Sequence, residues 1–142
     1  MKAVLVMFAL CGAFPIFAAS PTPESVTRFQ RAIAHPNAAD ENIRQLTIRV
    51  EDYRQFAQDQ RVHATNLSFL GAARLLSGCD MGDAVPAGSA GWFLIRWTCP
   101  AGDLRNEQVF LLMQDSGTEV ARAIIQIGPP AIEVSSVSRK AD

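Results

Sequence analysis

The sequence has no surplus of positive charge: 13 Lys and Arg stand against 14 Asp and Glu in 142 residues. Proteins that hold nucleic acid by neutralising phosphates need such a surplus, so the composition argues against that class. Histidine is scarce at two, tyrosine at one and cysteine at three. No Cys-x-x-Cys pair, metal-ligand spacing or phosphate-cradling glycine loop occurs, and there is no repeat or low-complexity tract. Disorder is disfavoured as well, because 49% of residues are hydrophobic and the net charge is only −1. The length suits one small domain.

What is present begins with MKAVLVMFALCGAFPIFAAS, residues 1–20. Lys2 precedes an apolar run broken only by Gly12 and Pro15, and Ala18, Ala19 and Ser20 close it. A charged start, a short apolar stretch and small residues before a polar segment make a secretory signal, with the cut expected after Ser20. A transmembrane anchor needs a longer run of about 20 apolar residues. A lipoprotein signal would want a small residue before its cysteine, where Cys11 has Leu10. The expected products are a removed segment 1–20, one domain over 21–132 and a flexible tail over 133–142. The mature chain would be exported, periplasmic or secreted, with no membrane span. It loses Lys2, leaving 12 bases against 14 acids, a net charge of −2.

Cys11 leaves with the signal, so Cys79 and Cys99 remain. An even pair in an exported chain is most simply a disulfide. A redox role would favour closer cysteines, and zinc would want ligands that His35 and His63 are not spaced to supply. No metal or cofactor is expected.

The hydropathy pattern sets helices before strands. Thr22-Pro23-Glu24 reads as a helix start, with Val26, Phe29, Ala32 and Ile33 on one face and His35-Pro36 as the stop. Asp40 is a second plausible cap. The stretch after Ile43 is ambiguous and is read as a short helix, an extended piece near residues 47–50 and a helix over about 51–60. Residues 70–79 suit a strand, although Ala72, Ala73 and Leu75 also fit a helix. Residues 80–90 read as a loop rich in Gly, Pro and Ala. Strands are expected over 91–99, 108–114 and 119–127, with a tight turn at Asp115-Ser116-Gly117-Thr118 between the last two. On 91–99, alternation puts Phe93, Ile95, Trp97 and Cys99 toward the helices and Trp92, Leu94, Arg96 and Thr98 away from them. On the last strand Ala121, Ala123, Ile125 and Ile127 are expected inside. The fold class is therefore α+β, with N-terminal helices packed on a three- to four-stranded antiparallel β-meander.

From Glu24 to Ile127 this order of elements resembles the cystatin-like and NTF2-like small α+β cones. The resemblance implies helices cradled by an antiparallel sheet. Its catalytic members carry an acid and a tyrosine inside the cone, and Tyr53 is the one tyrosine this chain offers.

Candidate sites are few. Ser89, in Ala87-Gly88-Ser89-Ala90-Gly91, lacks the strand-then-helix order of a nucleophile elbow. Asp80 and Asp83 lack the further oxygen ligands of a calcium loop. His63, near Asp59 and Arg61, has no evident substrate to act on as a base. Asn66-Leu67-Ser68 is a glycosylation sequon. Trp92 and Arg96 share one side of a strand, and with Tyr53 they form the candidate ligand-binding set; no catalytic residue is assigned. The leading expectation is a non-enzymatic exported module that binds a partner protein or a small ligand. Alternatives are a metal-independent acid–base enzyme using Tyr53, Asp52 or His63, and a structural envelope component.

Overall fold

A computed structural model of the protein describes residues 22–129. The expected signal 1–20 and tail 133–142 lie outside the described residues. Helix α1 (Glu24–Ala34) leads into a 3-10 turn (Pro36–Ala38) and a one-turn helix α2 (Glu41–Arg44). Strand β1 (Thr47–Asp52), the short helix α3 (Phe56–Asp59) and strand β2 (His63–Ser68) follow. Helix α4 (Phe69–Leu75) then precedes β3 (Asp80–Pro86), β4 (Trp92–Thr98), β5 (Val109–Asp115) and β6 (Val120–Ile127).

The strands form one sheet in the order β2-β1-β6-β5-β4-β3. β1 runs parallel to β6, and the remaining neighbours are antiparallel. The expected three- to four-stranded antiparallel meander is therefore wrong: the sheet has six strands and is mixed. Two of the strands not foreseen, β2 and β3, are edge strands that bury little, so neither shows apolar alternation. The third, β1, alternates Ile48 and Val50 inward and was half visible. Residues 69–75, read first as strand, are helical because Ser68 caps them: its Oγ accepts from Gly71 N at 3.1 Å. At α1 the cap position falls on Pro23, with no side-chain cap bond, so Thr22 does not play the part expected of it.

The main core lies between the sheet and helices α1 and α4. Val26 and Phe29 of α1 and Phe69 and Ala72 of α4 are fully buried against Ile48, Ile95, Leu111, Met113 and Ile125 of the sheet. Phe29 and Phe69 meet edge to face, ring centres 5.8 Å apart, which joins the two helices. The space between helices and sheet is thus filled. On β4 the expected alternation holds, with Ile95, Trp97 and Cys99 in the main core and Phe93 packed against it. On β6 it fails at one point. A register shift opposite Gln114 and Asp115 puts Val120 in the core and leaves Ala121 exposed.

Candidate binding cleft

The disulfide joins Cys79, just before β3, to Cys99, just after β4, with Cα atoms 4.0 Å apart. It clamps the open end of the β3–β4 hairpin. Gly78 and Gly102 bring the flanking loops together there. Gly78 has φ +89, and a Cβ on it would stand 2.9 Å from Ala101 O; a Cβ on Gly102 (φ +88) would stand 2.8 Å from Ser77 O. Only glycine permits both the conformation and the approach.

Beside this clamp lies a cleft of about 570 Å³, between the C-terminal end of α1, helix α4 and the start of β3. Its walls carry Ile33, Leu70, Ala73, Leu76, Met81 and Trp97, with Arg74, Asn37 and Asp80 at the rim. The spacing of Leu70, Ala73, Arg74 and Ser77 follows from the helical period, which turns one side of α4 toward α1. Met81 is held by Gln30 of α1, whose Nε2 lies 3.7 Å from the sulfur. Leu70 is 43% exposed, unusual for a leucine beside a core. Trp97 is 5% exposed, and its indole N–H is buried without a hydrogen-bond partner. A buried donor left unsatisfied costs about 1–3 kcal/mol. The volume falls within the ~300–1,000 Å³ usual for small-molecule sites, and the lining mixes apolar walls with a polar rim.

Three other hollows are less suited. One of about 140 Å³ sits by Ser25, Arg28 and Asp40, where Ser25 Oγ bonds Asp115 and Arg28 donates to Thr118 O at 2.8 Å, tying α1 to the β5–β6 turn. Another, of about 320 Å³, lies along Arg28, Arg31 and His35, and a third, of about 380 Å³, by Tyr53, Arg54 and Glu107.

The residues singled out in the sequence do not form one site. Trp92 is 1% exposed and packs with Leu112 and Ile124 on the sheet face turned away from α1 and α4. Arg96 shares that face, but its guanidinium lies over Phe110 at 5.6 Å, while Arg122 lies over Trp92 at 5.6 Å. Tyr53 is 4% exposed, three strands away from β4 in the sheet. Its hydroxyl stands 3.5 Å from Glu51 Oε1. Glu51 alternates with Val50, so this acid and tyrosine sit on the face away from the helices and not inside the helix-bearing side.

His63 Nε2 lies 3.0 Å from Asp59 Oδ2 on the surface, and that contact holds the Asp59 carboxyl below its ordinary range. Asp52 is lowered in the same direction, chiefly by the side-chain hydrogen bonds of Arg54. Both shifts favour the ionised form, the opposite of what a general acid at neutral pH requires. Ser89 lies in the turn between β3 and β4, and Asp80 and Asp83 lie on an exposed strand. Among the described residues no three His, Cys, Asp or Glu side chains gather as a metal site would need, and no helix is long and apolar enough to cross a membrane.

Residues 70–79 suit a strand by pattern, and a strand there would leave no cleft. Their alanines at helical spacing were the signal for it.

No family model matches the chain, and no curated protein matches it. Among solved structures, a de novo designed protein with a curved β-sheet is similar at 7% identity, TM-score 0.46, over 86% of this chain and 100% of that one. A second similar structure comes from work on the enumerative design of proteins with diverse pockets. It shows 13% identity and TM-score 0.39, over 73% of this chain and 96% of that one.

Proposed function

We propose that the chain is an exported, non-enzymatic binding domain that takes the apolar part of a small ligand into the cleft between α1, α4 and the disulfide-clamped hairpin. One observation carries this reading: a cleft of ligand size whose walls carry Ile33, Leu70, Ala73, Leu76, Met81 and Trp97. An occupant with an apolar body suits it. The Cys79–Cys99 bridge and the character of residues 1–20 support export. The filled space beneath α1 and α4 directs a ligand to the rim cleft. The acid–base alternative has less to draw on: Asp52 and His63 are opposite one another on β1 and β2, but Asp52 is bound by Arg54 and His63 by Asp59, and both carboxylates are shifted downward.

The test uses 1-anilinonaphthalene-8-sulfonate with the Trp92→Phe protein, in which Trp97 is the remaining tryptophan. Saturable energy transfer from Trp97 at one site per chain is expected, lost in Leu70→Glu while the far-UV circular dichroism is unchanged. Absence of saturable transfer in the folded protein, or transfer unaffected by Leu70→Glu, overturns the reading.

A further inference from the structure

The two edges of the sheet are unlike each other. β3 is blunted against pairing in three ways: a register irregularity between Met81 and Ala84, the carboxylates of Asp80 and Asp83, and Pro86, which has no N–H, at its end. β2 has none of these. All six of its residues pair with β1 in unbroken register. Five of the six are exposed, Leu67 alone being half-buried. Its side chains are His, Ala, Thr, Asn, Leu and Ser, with neither Lys, Asp, Glu nor Pro among them. Among the described residues no backbone bond reaches its outer side, since the further main-chain bonds of turns and loops involve none of residues 63–68. A regular, uncharged, exposed edge is a template for another strand.

We infer that β2 is an association surface and that its partner is β2 of a second copy, paired antiparallel about a two-fold axis at Thr65. The strand is complementary to itself in that register. Thr65 faces Thr65 of the other copy, Ala64 faces Asn66, and His63 faces Leu67, so no like charges meet. Because the axis falls on a residue, positions of the same parity face each other, and the helix-bearing faces of the two sheets lie on the same side. A Thr–Thr pair is favourable across strands. A foreign strand would need some charge or pocket on β2 to select it, and β2 offers only the His63 imidazole, already paired with Asp59. Pairing through one short strand buries less than the ~1,200 Å² of a standard interface, so the dimer is weak and forms with rising concentration. This inference is independent of the cleft.

The test is sedimentation of the mature chain from about 5 μM to 1 mM, a range chosen to bracket weak association. The wild type is expected to pass from monomer to dimer. Thr65→Lys and Thr65→Glu each place like charges opposite one another and are expected to remain monomeric. An equimolar mixture of the two is expected to dimerise more strongly than either alone, a rescue that mere loss of folding does not produce. Should either variant fold poorly, hydrogen exchange of the wild type decides: alternate amides of residues 63–68 slow as concentration rises. A wild type that stays monomeric throughout overturns the proposal. So does a dimer that both variants retain, or one that Val85→Lys on β3 abolishes instead.

Discussion

Gln126 donates from Nε2 to Glu51 Oε1 at 3.2 Å, across the parallel step between β6 and β1. Gln126 is fully buried and Glu51 is 9% exposed. Glu51 also accepts from Arg49 Nε at 2.7 Å, while the second polar atom of Gln126, Oε1, has no partner. One carboxylate thus serves as the polar tie where β1 and β6 meet.

Glu51→Ala is expected to cost about 2–3 kcal/mol, because it leaves the buried Gln126 amide with neither of its polar atoms bonded. Gln126→Leu is expected to cost less than about 1.5 kcal/mol, since it removes the orphaned oxygen along with the bond and Glu51 keeps Arg49. Urea denaturation of both variants checks the order. Equal losses would show that the tie contributes nothing of its own.

Breaking the bridge as Cys79→Ser with Cys99→Ser opens a loop whose ends are 20 residues apart. The expected loss is about 3 kcal/mol, through greater freedom of the unfolded chain. Thermal melts of the double variant should match those of the wild type held in reductant. A wild type insensitive to reductant would contradict the clamp.

Asp52 accepts from Arg54 Nε at 3.0 Å, from its terminal nitrogen at 2.7 Å and from its backbone N at 2.9 Å. These bonds hold the carboxyl below the ordinary value of 3.8 in the folded state. The stabilisation is therefore present above that ordinary value and fades as pH falls through the lower, folded one. Asp52→Asn should be less stable than wild type by about 0.5–1 kcal/mol at pH 7, in keeping with a partly exposed pair. The gap should narrow as pH falls below that ordinary value, because the wild-type carboxyl then becomes protonated. A gap that is constant across pH would place the effect elsewhere than in ionisation.

Gly78→Ala and Gly88→Ala separate backbone strain from contact. Both glycines have positive φ, +89 and +85, but a Cβ at Gly78 meets Ala101 O at 2.9 Å while one at Gly88 meets nothing within 4 Å. Gly88→Ala should cost only the left-handed conformation, about 1–2 kcal/mol. Gly78→Ala should cost measurably more in the same denaturation assay, because Ala101 or the disulfide loop must shift.

Much of the helix and hairpin content could be read residue by residue. α1 announced itself by Val26, Phe29, Ala32 and Ile33 and ended before Pro36 as expected. The β5–β6 turn follows from Gly117, whose φ is +109, and Ser116 N bonds Glu119 O at 2.9 Å across it. β2 and β3 were illegible for a common reason. An edge strand buries little, so it imposes no alternation on its side chains. Of the candidate site, helix α4 was half legible in Ala72, Ala73 and Leu75, of which Ala73 lines the cleft, and Trp97 falls on the face toward the helices.

Short-range pattern is enough to say which side of β4 faces the helices and that Cys79 and Cys99 are the natural pair, since alternation and the even cysteine count act within or between short segments. It is silent on the closure of β1 against β6, because Arg49–Asp52 and Ile124–Ile127 lie more than 70 residues apart and either strand would look the same beside another neighbour. It is equally silent on the cleft. That feature is the gap left when two helices and a clamped hairpin meet at their ends, and its shape depends on packing that no single segment encodes.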